Sequence, residues 1–169
     1  MGHNQFSDWT DAEYKSMLGG VSGDIDGEVV ELEETNASSV NWIEAGAVTP
    51  VKDQGHCGSC WSFSAVGALE GAHFVASGKL ESFSEQQLVD CAYGDKYNSY
   101  GCGGGNPSRA LSYYKSNKAE LETAYPYISN VSEDKHECSD ISHEATSVNV
   151  SSVKRLIRDD IKQMKAALN

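Results

Sequence analysis

The sequence predicts a mainly helical domain organised around one long helix that opens on a cysteine. Three observations carry this expectation. From Cys60 to Gly78, apolar residues recur at three- and four-residue steps (Trp61, Phe63, Val66, Leu69, Phe74, Val75), with small residues at 65, 68 and 72 and no proline. That is the period of an amphipathic helix closed by glycine. Ser84 with Gln87 makes a capping-box pattern for a short helix ending near Cys91, and Asn106-Pro107 reads as the cap and first residue of another over 108–117, with Ala110, Leu111 and Tyr114 inward. Finally, Val153, Leu156, Ile157, Ile161, Met164 and Leu168 fall on one face of a C-terminal helix capped around Ser151 or Ser152. That face is expected to be packing surface.

The loop Gln54-Gly55-His56-Cys57-Gly58-Ser59 delivers Cys60 into the first turn of the long helix. Unpaired N–H groups and the positive end of the helix dipole favour an anion there, in this case a thiolate. Upstream, Thr10 is a cap for a helix over Ala12 to Leu18. Leu18 to Ser39 is glycine-rich and then acidic, with no period sustained beyond Val29-Val30, which is linker composition. Tyr93 to Gly105 is a Gly-, Asn- and Tyr-rich loop, and residues 118–149 are mostly irregular.

With 169 residues the chain is long enough for one domain with a core. A formal net charge of −12 argues against a nucleic-acid partner, and no apolar run approaches the roughly 20 residues of a membrane span. Met1 to Phe6 lacks the basic and apolar regions of a signal peptide. Five cysteines imply two bridges and one free thiol in an oxidising compartment. From the count alone any of the five could be the free one, and a fully reduced cytosolic chain is the alternative. Cys57 and Cys60 also stand at the spacing of a thiol–disulfide exchange motif, although no alternating strand–helix pattern surrounds them. No second Cys pair or His pair stands at zinc spacing, so neither a metal nor a cofactor is expected.

Cys57-Gly-Ser-Cys60-Trp61 resembles the nucleophile signature of papain-like, cathepsin L-type cysteine proteases. Val48-Thr49-Pro50-Val51-Lys52-Asp53-Gln54, Ser84 to Cys91, Gly101 to Gly105, and Tyr125-Pro126-Tyr127 with Cys138 extend the resemblance in order over residues 40–140. It implies an α+β papain-like fold of which the mainly helical left domain is present, over 40–169, and the β-rich right domain is absent. Residues 4–14 resemble the end of that family's inhibitory prosegment, with Phe6 and Trp9 as apolar anchor and Asp8 as a hydrogen-bonding carboxylate. The expected boundaries are 1–18 for the prosegment end and 19–39 for the linker and cleavage region. A plain surface helix followed by a solvated linker is the alternative.

The resemblance also implies roles. Cys60 is the nucleophile that forms a thioester, and the Gln54 side-chain amide with the Cys60 N–H forms the oxyanion hole. Gly58, Trp61, Gly104, Gly105, Asn106 and Pro107 are expected at the substrate, the glycines pairing with an extended peptide and Asn106 and Pro107 lining the main specificity pocket. The implied bridges are Cys57–Cys102 and Cys91–Cys138. Partners would be protein or peptide substrates, the chain's own prosegment and cystatin-like inhibitors, in a lysosomal or secreted setting. Sequons at Asn36, Asn130 and Asn149 are compatible with that route.

The family's histidine and asparagine stand roughly 130–150 residues after the cysteine, beyond Asn169, so this chain alone is expected to be inactive. His73 lies about 20 Å down the same helix, His56 adjoins a bridge cysteine and His3 falls in the prosegment-like part. His136 and His143 are poor substitutes in irregular sequence. A truncated, non-catalytic product that acts by binding is the alternative.

Overall fold

In the computed structural model the long helix forms over Cys60–Ser77 and the rest of the chain wraps around it. The structure describes residues 2–4, 6–23, 27–132, 134–138 and 146–169. Along the chain come α1 (Asp11–Ser16), β1 (Glu28–Val29), α2 (Cys60–Ser77), α3 (Glu85–Cys91), a 3-10 turn at Gly101–Gly103, α4 (Pro107–Leu111) running into a 3-10 turn at Ser112–Lys115, α5 (Ser129–Ser132), β2 (Lys154–Arg155) and α6 (Ile161–Leu168).

Each start has a local cause. Thr10 closes a full capping box on α1: its hydroxyl accepts from Glu13 N while Glu13 accepts from Thr10 N. Ser84 Oγ accepts from Gln87 N at 3.0 Å, but the Gln87 amide turns away to donate to Lys118 O, so α3 carries half of the expected box. Asn106 Oδ1 accepts from Ser108 N and Arg109 N ahead of Pro107. Gly78, at φ 73, stops α2 in the left-handed conformation that costs glycine least.

One face of α2 buries Trp61, Ala65, Val66 and Leu69 against Leu88 and Val89 of α3, Ala110 of α4 and Tyr114. Phe83, Leu88 and Val66 are fully buried, each worth roughly 1.5–3 kcal/mol of removal from water. Gln86 is also fully buried and is satisfied at both ends of its amide. It donates to Asp90 and Ser129 Oγ and accepts from Ile128 N and Ser129 N, which fixes the 128–129 turn against α3. The opposite face of α2 is open. Gly67, Gly71 and Val75 line a cavity of about 670 Å³ with Trp42, Val48 and Leu168, and Val75 is 67% exposed.

The C-terminal stretch corrects the sequence reading. Residues 153–160 are not helical: Lys154–Arg155 pairs in parallel with Glu28–Val29. Asp159 turns to φ 62 and Asp160 caps α6 by accepting from Lys162 N and Gln163 N, so the helix starts at Ile161 and not near Ser151 or Ser152. Its expected packing face is exposed at Ile161, Met164 and Leu168, while Gln163 is buried, exchanging hydrogen bonds with Leu32 N and O.

Two disulfides, Cys57–Cys102 and Cys91–Cys138, close loops of 45 and 47 residues. Each closure contributes roughly 4 kcal/mol in the chain-entropy description. Cys60 is the free thiol, and with Cys57 bridged to Cys102 no 57/60 dithiol is present.

Candidate active site

The disulfide at Cys57 pins the loop before α2 to the glycine-rich turn, and Gly58 N donates to Cys102 O at 3.1 Å. Cys60 is half-buried at the head of α2. As the first helical residue its N–H has no intrahelical acceptor. Gln54 is folded back beneath it, donating from Nε2 to Cys57 O at 2.8 Å and to Met17 O at 3.2 Å. The N-terminal segment therefore lays a main-chain carbonyl on the very amide expected to stabilise an oxyanion.

That segment continues along the glycine wall. Gly105 N donates to Gly19 O at 2.7 Å and Val21 N donates to Gly105 O at 3.0 Å, a parallel bridge centred on Gly20 and Gly105. Gly19 presses so closely that a Cβ there would stand 1.7 Å from Gly58 O. A Cβ on Gly105 would meet the Trp61 ring at 2.5 Å. Trp61 is buried, its Nε1 donating to Gly101 O, so it supports the wall from below instead of facing the cleft. The thiol shares a cavity of about 450 Å³ with Phe6, Tyr14, Met17, Leu18 and Gln54.

Phe6 packs edge-on to Trp9 and Tyr14, with ring centres 5.2 and 6.2 Å apart. Trp9 stacks on His56 at 5.4 Å with the planes 7° apart. Asp8 is exposed, and its carboxylate meets no hydrogen-bond donor among the described residues. Among the described residues no histidine lines the cavity at Cys60. His136 is held elsewhere, its Nε2 2.8 Å from Ser132 Oγ and its N–H donating to Asp90. His143 lies outside the described residues.

Two groups of polar residues stand out only in three dimensions. Tyr127 donates to Gln54 O at 2.9 Å, so the Ser59 hydroxyl at 2.6 Å donates to Tyr127, and one phenol joins the residue before Cys60 to the candidate oxyanion donor. Burial pushes the Tyr127 phenol up to about 12, with Glu85 and Asp53 adding to the rise against the Ser59 bond. Tyr127→Phe removes both contacts and leaves the Gln54 carbonyl short of a donor, an expected loss of about 1–3 kcal/mol. Urea denaturation will show it as a lower midpoint at unchanged slope, and an unmoved midpoint would assign the two contacts no weight.

The second group is acidic. Lys52 Nζ lies 2.7 Å from Glu70 and 2.6 Å from Glu85, both carboxylates being almost fully buried. Glu70 also accepts from Thr49 Oγ1 and Phe83 N. Glu122 accepts from Tyr127 N, and its Oε2 is buried without a partner among the described residues. Burial raises Glu85 to about 7 against the opposing Lys52 bond and charge, with Glu122 raising it further. Burial likewise raises Glu122. For Lys52, burial works against the charge, but the two carboxylates outweigh it and the ammonium is held above its usual range. Glu70 had a local signal: it is a charge on the inward stripe of α2, beside Val66 and Leu69.

A free thiol at a helix start thus stands beside a side-chain amide and a glycine wall that pairs with extended backbone. The model of the papain family cysteine proteases matches residues 36–169, and the chain belongs to that family. It is 47% identical over 128 residues to digestive cysteine proteinase 1 of Homarus americanus, covering 73% of this chain and 39% of that protein. It is 53% identical over 117 residues to a cathepsin L-like peptidase of Aedes aegypti, covering 67% of this chain and 33% of that protein. Among solved structures, digestive procathepsin L 3 of Tenebrio molitor larval midgut superposes with a TM-score of 0.83 at 34% identity, over 98% of this chain and 52% of that one. The chain thus spans little more than a third of the curated relatives and about half of the solved chain. The part it shares is the mainly helical left domain of the papain-like fold.

Proposed function

We propose that this chain carries the nucleophile half of a papain-like cysteine endopeptidase, held shut by its own N-terminal segment. Residues 1–18 are the end of an inhibitory prosegment, 19–39 the linker and cleavage region, and 40–169 the left domain. The observation that supports this reading best is the occupied cleft: the Met17 carbonyl on Gln54 and the Gly19–Gly105 pairing stand where a substrate backbone would bind.

In the open enzyme, Cys60 Sγ attacks the peptide carbonyl carbon and a C–S bond forms. The carbonyl electron pair moves to oxygen, which accepts hydrogen bonds from the Gln54 amide and the Cys60 N–H. Collapse expels the amine, which needs a proton, and water then hydrolyses the thioester. Cys60 and Gln54 supply the first step. The proton transfers need an imidazole, and among the described residues no histidine lines the cavity at Cys60. Gly58, Gly104 and Gly105 hold the substrate backbone, Trp61 supports them, and Asn106 and Pro107 shape the pocket beside them. Cystatin-like inhibitors would compete with the prosegment for the same cleft. Exposed sequons at Asn36, Asn130 and Asn149 fit a lysosomal or secreted route.

In a full-length protease that contains this chain, Cys60→Ser should lower peptide hydrolysis by at least about 10⁴-fold, and Gln54→Ala by about 10²–10³-fold. Retention of activity by Cys60→Ser would overturn the assignment.

A further inference from the structure

Beyond the paired glycines, the segment in the cleft passes two side-chain amides: Asn106, assigned above to the pocket, and Asn98, which the chemistry above does not use. The φ of Gly23 lies outside the left-handed region, so its backbone does not demand glycine. A Cβ there would nevertheless stand 2.9 Å from Asn98 Nδ2 and 3.9 Å from Asn106 Nδ2. Both amides are built into the frame. Asn106 is 5% exposed, and its Oδ1 is committed to Ser108 and Arg109, which leaves its NH₂ for the cleft. Asn98 is held at φ 48, a conformation asparagine tolerates better than most residues, with its N–H donating to Asp95 O and its carbonyl accepting from Asn106 N at 3.0 Å. Bridges from Ser99 to Gly105 and from Gly105 to Gly20 put this loop and the bound segment in one ladder. Neither NH₂ group has a hydrogen-bond partner among the described residues.

We infer that Asn98 and Asn106 form a specificity subsite, which selects glycine or a small side chain bearing a hydrogen-bond acceptor at the position of an extended peptide that Gly23 takes. The inference rests on the cleft reading proposed above. Two N–H donors face a narrow space. A carboxylate, amide or hydroxyl oxygen there replaces the water it displaces. An apolar side chain of the same size displaces that water and leaves both donors unpaired, which is the strongest form of discrimination a polar site can exert. Asn98 is then a specificity-determining residue outside the catalytic pair.

The test uses the whole 169-residue chain and reads alkylation of Cys60 by iodoacetamide as a measure of cleft occupancy, with disulfide mapping to confirm the fold. Gly23→Asp and Gly23→Leu introduce side chains of similar size, each alone and together with Asn98→Gly, which suits φ 48. Gly23→Leu should speed alkylation about five-fold or more over the wild type, and Gly23→Asp less than about two-fold. Asn98→Gly should bring the two close together. Equal rates for Asp and Leu, or a Leu/Asp ratio that survives Asn98→Gly, would overturn the subsite. A wild-type Cys60 that already reacts as fast as in urea is a separate result: it would bring down the occupied-cleft reading itself and the subsite with it.

Discussion

Replacing Gly19 with valine will expose Cys60. A Cβ at residue 19 would lie 1.7 Å from Gly58 O, a separation no real side-chain carbon adopts, and the obstacle is backbone that cannot swing aside. The segment has to withdraw from Gly105. The Gly19–Gly105 and Val21–Gly105 hydrogen bonds then break, and Met17 leaves the Gln54 amide. Three bonds at about 0.5–1.5 kcal/mol each give roughly 1.5–4.5 kcal/mol of lost closure. On that scale the alkylation of Cys60 should rise by about 10- to 2,000-fold. Gly2→Val, at a position with nothing within 4 Å, is the matched control and should change nothing. A Gly19→Val chain that alkylates at the wild-type rate would show that the segment does not shield the thiol.

The acidic cluster gives the second large effect. Lys52→Met leaves Glu70 and Glu85 buried without their cation, an arrangement that typically costs about 3–5 kcal/mol. The pH dependence separates this from ordinary packing damage. Glu85 is raised from 4.5 to about 7, so between those values the folded state binds more protons than the unfolded one. Its contribution is fully present below about pH 4.5 and is lost as pH rises through 7, a change of up to about 3 kcal/mol. The upward shift of Glu122 acts in the same direction. Urea midpoints of the wild type should therefore fall between pH 4.5 and 7.5, and Glu85→Gln should flatten the slope. A midpoint that climbs over this window, unchanged by Glu85→Gln, would contradict the assignment. Lys52→Met should be least harmful at the acidic end, where the carboxyls are protonated. The fold thus favours the acidic side of neutrality.

What could be read in the chain divides along a physical line. The helix at Cys60 was legible because its start, its period and its glycine stop are all local. The same period misled at residues 153–160. Val153, Leu156 and Ile157 repeat like a helix, yet the strand they join has its partner at residues 28–29, and Asp159-Asp160 was the local sign of a later start. Cys60, Gln54 and Gly105 belong to compact motifs and could be named. The resemblance pointed to the N-terminal segment as the cleft's occupant, but not to its contacts, because Met17, Gly19 and Val21 act through main-chain groups that carry no side-chain code. Lys52, Glu70 and Glu85 lie 18 and 33 residues apart along the chain, so only the folded packing brings their charges together.

The stack of Trp9 on His56 makes the seating of the N-terminal segment optically readable. Of the three tryptophans, Trp61 is sealed in the core and Trp42 donates from its indole to Leu168 O on the far groove, which leaves Trp9 alone on the N-terminal segment. Departure of the segment moves that indole from a ring stack into water without disturbing the other two. With Trp42→Phe as background, emission will follow opening second by second with no label attached, and stopped-flow records can be laid directly over the alkylation of Cys60. One indole then reports where the whole N-terminal segment lies.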